Sequence, residues 1–176
     1  ELWRSVNGGD FKRVTTVTKT TYTDSKAAAG SEYTYKVKTI GSKSEYNSDF
    51  SETVSCYATF AAPSLKMKVD SKTGIPTLSW KKISGASGYA IYRSANGGEY
   101  ELLTTTTAVS YKDSSVQADN TYSYYVVTLG KAEEYNSAAS AVKSTTLAVK
   151  TPKLTGSATP DGKPVISWAA VENAVS

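Results

Sequence analysis

Few side chains in this sequence could do chemistry. It has no His, one Cys and one Met, so no Ser-His-Asp or Cys-His pair and no imidazole metal site is available. Glu133 and Glu134 are adjacent on a predicted loop. Paired-carboxylate hydrolysis needs two acids about 5 to 9.5 Å apart across a cleft, which sequence neighbours on a loop do not supply. Cys56 has no adjacent base or basic cluster to lower its pKa, so it reads as a small, half-buried apolar residue rather than a nucleophile. Gly8-Gly9 and Gly97-Gly98 could suggest a phosphate cradle, but no helix follows either pair, and such cradles work through helix N-terminal N–H groups. No catalytic residue, metal ligand or cofactor is expected.

What remains is aromatic. Tyr89 to Ser94 reads as a strand with Tyr89 and Ile91 inward, which turns Ala90 and Tyr92 outward. Thr121 to Leu129 reads as another, with Tyr122, Tyr124 and Val126 inward and Tyr125 and Val127 outward. If these strands are neighbours, Tyr92, Tyr125 and Val127 form an exposed patch able to stack on a sugar ring or anchor a protein. The plainer alternative is cross-strand pairing that only stabilises the sheet. Earlier in the chain the same places hold Trp3, Lys36 and Lys38, and the Lys residues favour the plainer alternative.

Those strands belong to a repeat. A shift of 89 residues carries Arg4-Ser5 onto Arg93-Ser94, Tyr33 and Tyr35 onto Tyr122 and Tyr124, and Glu45-Tyr46-Asn47-Ser48 onto Glu134-Tyr135-Asn136-Ser137. About 25 identities accumulate over about 65 positions without a gap, far beyond chance for one period. After a one-residue deletion, Pro76, Ser79 and Trp80 fall on Pro164, Ser167 and Trp168. Residues 1–60 therefore read as a unit without its first two strands, 61–150 as a complete unit, and 151–176 as the first two strands of another. The chain reads as a fragment beginning inside a repeat. Pro63 and Pro152 stand in short junctions, where a fixed φ predicts stiff connections.

The complete unit predicts seven strands, over 64–69, 75–82, 89–94, 99–104, 108–112, 121–129 and about 140–149. Leu65, Met67, Val69, Leu78 and Trp80 are placed inward. The facing of the seventh is open, because Val54 and Cys56 of the first copy align with Lys143 and Thr145. Asn7-Gly8 and Asn96-Gly97 supply hairpin turns. No segment has a helical apolar period. Short strands at close spacing predict an all-β fold of tandem seven-stranded immunoglobulin-like sandwiches.

The run Ala28-Ala29-Gly30-Ser31-Glu32-Tyr33-Thr34-Tyr35-Lys36-Val37 resembles the sixth-strand signature of fibronectin type III domains. There a Tyr, here Tyr33 and Tyr122, ties its hydroxyl to a nearby loop. The second copy departs slightly, with Asp119-Asn120 in place of Gly30-Ser31. Trp80 and Trp168 resemble the family's second-strand core Trp. More narrowly, Gly-Tyr-x-Ile-Tyr-Arg-Ser followed by Thr-rich turns and a Tyr-Asn-Ser loop is similar to repeats in surface and secreted proteins of Gram-positive bacteria. The resemblance implies an extracellular or cell-surface spacer or adhesion module with no catalytic residue. The Arg-Gly-Asp tripeptide of some family members is absent.

The 176 residues carry a formal charge of +4, with basic residues scattered rather than grouped into a phosphate-tracking groove. No nucleic-acid partner is expected. No apolar run reaches the roughly 20 residues of a membrane helix, so no membrane insertion is expected of this stretch. The expected function is a non-catalytic spacer, stalk or adhesion module. The alternatives are a carbohydrate- or host-protein-binding module and an accessory domain of a secreted hydrolase. Expected partners are neighbouring repeats, or copies of the chain joined head to tail so that residues 152–176 complete the unit at 1–60. Folding back within one chain is not expected, because a sandwich unit carries its junctions at opposite ends.

Overall fold

The computed structural model describes residues 1–148 and 151–171. The first strands are β1 (Leu2–Val6), β2 (Lys12–Thr15), β3 (Ser31–Val37) and β4 (Val54–Ala58), joined into one antiparallel sheet of order β2-β1-β3-β4. Then follow β5 (Lys66–Val69), β6 (Pro76–Ser79), β7 (Gly88–Ala95), β8 (Glu101–Thr106), β9 (Ser110–Lys112), β10 (Thr121–Leu129) and β11 (Lys143–Thr146). They form a three-stranded sheet, β5-β6-β9, and a four-stranded sheet, β11-β10-β7-β8. The last strands, β12 (Leu154–Ala158) and β13 (Pro164–Trp168), make a two-stranded sheet of their own. The fold is all-β, as the strand spacing predicts.

The chain divides into two compact units. One gathers residues 1–63, 82–90 and 127–139; the other gathers 64–81, 91–126 and 140–176.

Asn7 and Asn96 adopt φ of 49° and 52°, and the glycines after them 75° and 76°. Two successive positive φ values give the turn whose twist matches antiparallel strands, which is why Asn-Gly stands there. Each Asn has a second task. The Asn7 side chain accepts from Glu32 N–H and that of Asn96 from Thr121 N–H, both at 2.9 Å, tying the turn to the start of β3 or β10.

In the unit containing residues 91–126 the apolar alternation becomes a closed core. Leu65, Leu78, Trp80, Ile91, Tyr122, Tyr124 and Val126 are all buried. Along β10 buried and half-buried residues alternate without a break, as expected for a strand with one face on the core. Leu78 of β6 lies opposite Tyr111 of β9, and Trp80 N–H donates to Val109 O at 3.0 Å.

The first sheet behaves differently. Leu2 and Tyr33 are buried, but Val37 and Val54 are 49% and 67% exposed. Cys56, expected half-buried, is exposed. All three line an open groove of about 1110 Å³ on the β2-β1-β3-β4 sheet.

Other strands also depart from expectation. Ala90, placed outward by parity, is buried on β7, an inner strand of its sheet, where its methyl group is too short to reach solvent. Val69 is 38% exposed at the end of β5. The seventh strand is shorter than predicted, spanning Lys143–Thr146; its predicted end at Val149 lies outside the described residues.

Candidate functional site

β7 and β10 are neighbours in the sheet, so Tyr92 and Tyr125 meet. Their rings stack with centroids 4.7 Å apart and planes 17° from parallel. Tyr100, just before β8, adds a third ring 4.8 Å from Tyr125. The sequence reading missed Tyr100. Its signal was the Asn-Gly turn, which folds β8 back beside β7. Tyr92 and Tyr125 are half-buried and Tyr100 is 38% exposed, so the cluster is partly open. Burial and the neighbouring Tyr92 and Tyr100 push the Tyr125 phenol above its ordinary pKa. Val127 follows Tyr125 by strand parity and is half-buried.

Trp3 belongs to a different sheet from Tyr92 and Tyr125. It lies opposite Lys36, whose ammonium sits 4.2 Å from the Phe11 ring centroid and 4.1 Å from that of Phe50. Trp3 meets Phe50 edge-on at 5.6 Å, and its indole N–H donates to Glu1 Oε2 at 3.1 Å. Positions 3, 11 and 36 are the repeat equivalents of 92, 100 and 125. One face thus carries a tyrosine stack in one copy and a cation held between aromatic rings in the other.

Beneath the outer face lies a polar network that the sequence reading did not identify. Asp113 is fully buried in the loop after β9. Its carboxylate accepts from Arg93 Nη1 at 2.9 Å, Tyr124 Oη at 2.8 Å and Ser115 Oγ at 2.6 Å. Arg93 also lies over the Tyr122 ring, 5.2 Å from its centroid. Burial alone would raise the Asp113 carboxyl, but the bonds from Ser115, Tyr124 and Arg93 outweigh it and hold the group below the usual carboxylate range. Burial, then the bond to Asp113, pushes the Tyr124 phenol strongly up. The earlier copy repeats the network: Arg4 and Tyr35 donate to Asp24 at 2.6 and 2.9 Å, and Tyr35, through burial and then Asp24, is pushed up to about 12. The available signal was the recurrence of Arg, Asp and Tyr at one spacing in both copies. All charges in this network are matched, so it fastens sheet to loop and leaves no reactive group exposed.

The tyrosine hydroxyl tie is present twice, with Ala28 N–H donating to Tyr33 Oη at 2.7 Å and Gln117 N–H to Tyr122 Oη at 3.0 Å.

A third cluster stands at the junction after β4. Phe60 is buried; its ring lies where a Cβ on Gly30 would come within 3.1 Å and one on Gly85 within 3.5 Å. Phe60 N–H donates to Tyr135 O at 2.9 Å, Thr128 Oγ1 donates to Ala61 O at 2.9 Å, and Tyr57 meets Tyr135 edge-on at 5.4 Å. Tyr135 is presented by a short 3-10 turn, Glu133–Tyr135, whose loop is braced by Gly130 N–H donating to Asn136 Oδ1 at 2.8 Å. The Glu-Tyr-Asn-Ser motif is therefore a loop whose Tyr meets the preceding copy of the repeat.

No protein-family model matches the chain, and no curated protein matches it. Solved structures do. A two-domain fibronectin type III segment of chicken tenascin gives a TM-score of 0.57 at 16% identity, covering 82% of this chain and 80% of that one. An Fn3-like protein from Clostridium thermocellum is 28% identical, covers 49% of this chain and 91% of its own, and gives a TM-score of 0.42. The sheets and the tenascin likeness together show a fibronectin type III-like fold.

Proposed function

We propose that the chain is a non-catalytic spacer or adhesion module from the extracellular part of a repetitive bacterial surface or secreted protein. Domains of this fold often serve as spacers or binding modules. One observation carries the spacer reading: the junction after β4 is fastened rather than loose. Its backbone bonds Phe60 N–H to Tyr135 O, its linker carbonyl at Ala61 is taken by Thr128, and Tyr57 packs on Tyr135. A spacer must keep its ends apart, and a connection with buried contacts does so where a flexible linker would not. The test is a spin-label distance across the junction, with labels at Lys12→Cys and Lys82→Cys, both in the unit that holds Phe60 and Tyr135, in a Cys56→Thr background, diluted with unlabelled chain. One narrow distance is expected, broadening when Phe60 and Tyr135 are both changed to Ala. A broad distribution in the parent protein would contradict the reading.

The second reading, a carbohydrate- or protein-binding module, is favoured by the partly open aromatic cluster of Tyr92, Tyr125 and Tyr100, since exposed aromatic rings can anchor a sugar or a protein side chain. An accessory role beside a secreted hydrolase draws on no feature of this chain beyond its fold.

A further inference from the structure

The strand that follows the Asn-Gly turn is a sheet edge in both copies of the repeat, and the two edges carry opposite charge. β2 ends the β2-β1-β3-β4 sheet and β8 ends the β11-β10-β7-β8 sheet. The stretch from Asp10 to Arg13 sets two cations, Lys12 and Arg13, against Asp10; its equivalent from Glu99 to Leu102 holds Glu99 and Glu101 and no cation. Lys12, Arg13, Glu99 and Glu101 are all exposed. Arg13 reaches Glu1 at 3.2 Å, yet its side chain is 57% exposed. Tyr100 and Leu102, beside these acids, are 38% and 54% exposed. An edge strand presents unpaired N–H and C=O groups that template another strand, and neither β2 nor β8 contains a Pro to prevent it.

We infer that β2 of one chain pairs antiparallel with β8 of a second chain, so that two sheets join side by side through edges of opposite charge. The pairing holds whether the module is a spacer or a binder. Side-chain facing fixes its register, because residues opposite each other in an antiparallel ladder point to the same face. Arg13 lies opposite Trp3, and so does Lys36, whose ammonium sits over Phe11; Phe11 and Arg13 therefore share the outer face. Tyr100 packs on Tyr125, which puts Tyr100, and Leu102 by parity, on the outer face of the other sheet. With Lys12 opposite Glu101, Arg13 falls opposite Tyr100 and Phe11 opposite Leu102, and the outer faces of the two sheets run on continuously. An ammonium–carboxylate pair then stands at the centre, with a guanidinium beside a phenol ring on one side and an apolar pair on the other. Like edges are excluded in the same register, since β2 on β2 sets Lys12 against Lys12 and β8 on β8 sets Glu101 against Glu101. Charge on an edge strand ordinarily keeps it single; opposite charge on the two edges of one chain rejects the like edge and selects the unlike one. The contact joins different surfaces of the two chains, so it propagates or closes on itself.

The test is sedimentation velocity on the full chain from micromolar to near-millimolar concentration, at about 20 mM and about 500 mM salt. The expected result is a mass at least twice 18.8 kDa at low salt that falls towards 18.8 kDa at high salt. Lys12→Glu with Arg13→Glu makes both edges acidic, and Glu99→Lys with Glu101→Lys makes both basic. All four side chains are exposed, so neither change disturbs the core. Each double variant alone should stay at 18.8 kDa, and an equimolar mixture of the two should associate again, because each then meets the opposite edge. Lys66→Glu with Lys68→Glu, the same change of net charge placed on β5, should associate as the parent does. A strictly monomeric parent protein at low salt would overturn the inference. So would association that survives in either edge variant alone, or a mixture of the two that stays monomeric. Loss of association in the β5 variant would overturn it as well, since net charge and not the edges would then be the cause.

Discussion

Tyr22 and Tyr111 occupy the same place in the repeat and stand in different states. Tyr111 lies in β9 opposite Leu78, half-buried, whereas Tyr22 is 43% exposed and lies in no strand. Asp-Ser follows both, as Asp24-Ser25 and Asp113-Ser114, while Thr21 and Thr23 stand where the second copy has Ser110 and Lys112. The pairing also differs: β6 lies beside Tyr111, and among the described residues no strand pairs with Tyr22. Strand propensity at such a site reports fit to a pleated neighbour more than any intrinsic backbone preference.

Trp80 should be the most costly single truncation in the complete unit. It is 6% exposed, and removing a buried aromatic leaves a cavity as well as forfeiting transfer energy, about 3 to 5 kcal/mol in all. Urea denaturation of Trp80→Ala checks this. Trp168→Ala, whose side chain is 62% exposed on the single chain, should leave the monomer's midpoint nearly unchanged.

The Asp113 network predicts acid sensitivity. Its carboxyl is held below the unfolded value of about 3.9, so the stabilisation is fully present above that pH and is lost as pH falls through the folded value. Asp113→Asn should be less stable at neutral pH by about 3 to 5 kcal/mol, because Arg93 is left without its carboxylate, and its stability should fall less steeply below about pH 4. Melting temperatures of both proteins from pH 2 to 7 check the slope. Parallel curves would mean that the network is not what titrates.

Gly130 and Gly97 should respond differently to Ala. A Cβ on Gly130 would come within 2.5 Å of Tyr135 Cβ, so the loop that presents Tyr135 must shift, at about 1 to 3 kcal/mol and with a looser junction. Gly97 has open space around it and pays only for φ of 76°, about 1 to 2 kcal/mol. Broadening of the spin-label distance in Gly130→Ala, but not in Gly97→Ala, would separate the two.

The tyrosine stack separates the two proposed functions. If it only braces the sheet, Tyr125→Ala should cost about 0.5 to 1.5 kcal/mol beyond lost burial, and the parent protein should show no saturable binding on a glycan array. Saturable binding that disappears in Tyr92→Ala with Tyr125→Ala, at an unchanged melting temperature, would favour the binding module.

Much of this fold was legible because it is local. Asn7-Gly8 and Asn96-Gly97 declare their turns through positive φ, and the alternation in Thr121 to Leu129 declares β10 residue for residue. The exposure of Cys56 and Val37 was not legible, because a parity assignment says which way a side chain points and not whether anything covers it. The candidate site was half legible. Parity and strand order brought Tyr92 to Tyr125, but Tyr100 joins them through a turn whose reach is set in three dimensions. The buried Arg93–Asp113–Tyr124 network was written in both copies, yet each residue type alone reads as surface.

The central claim is that the junction after β4 is a fastened connection. Hydrogen exchange at the Phe60 amide, which donates to Tyr135 O, tests it most directly. The account predicts slow exchange there in the parent protein and faster exchange in Gly130→Ala, which shifts the loop that presents Tyr135. Exchange at Phe60 as fast as in an exposed loop of the parent protein would contradict it.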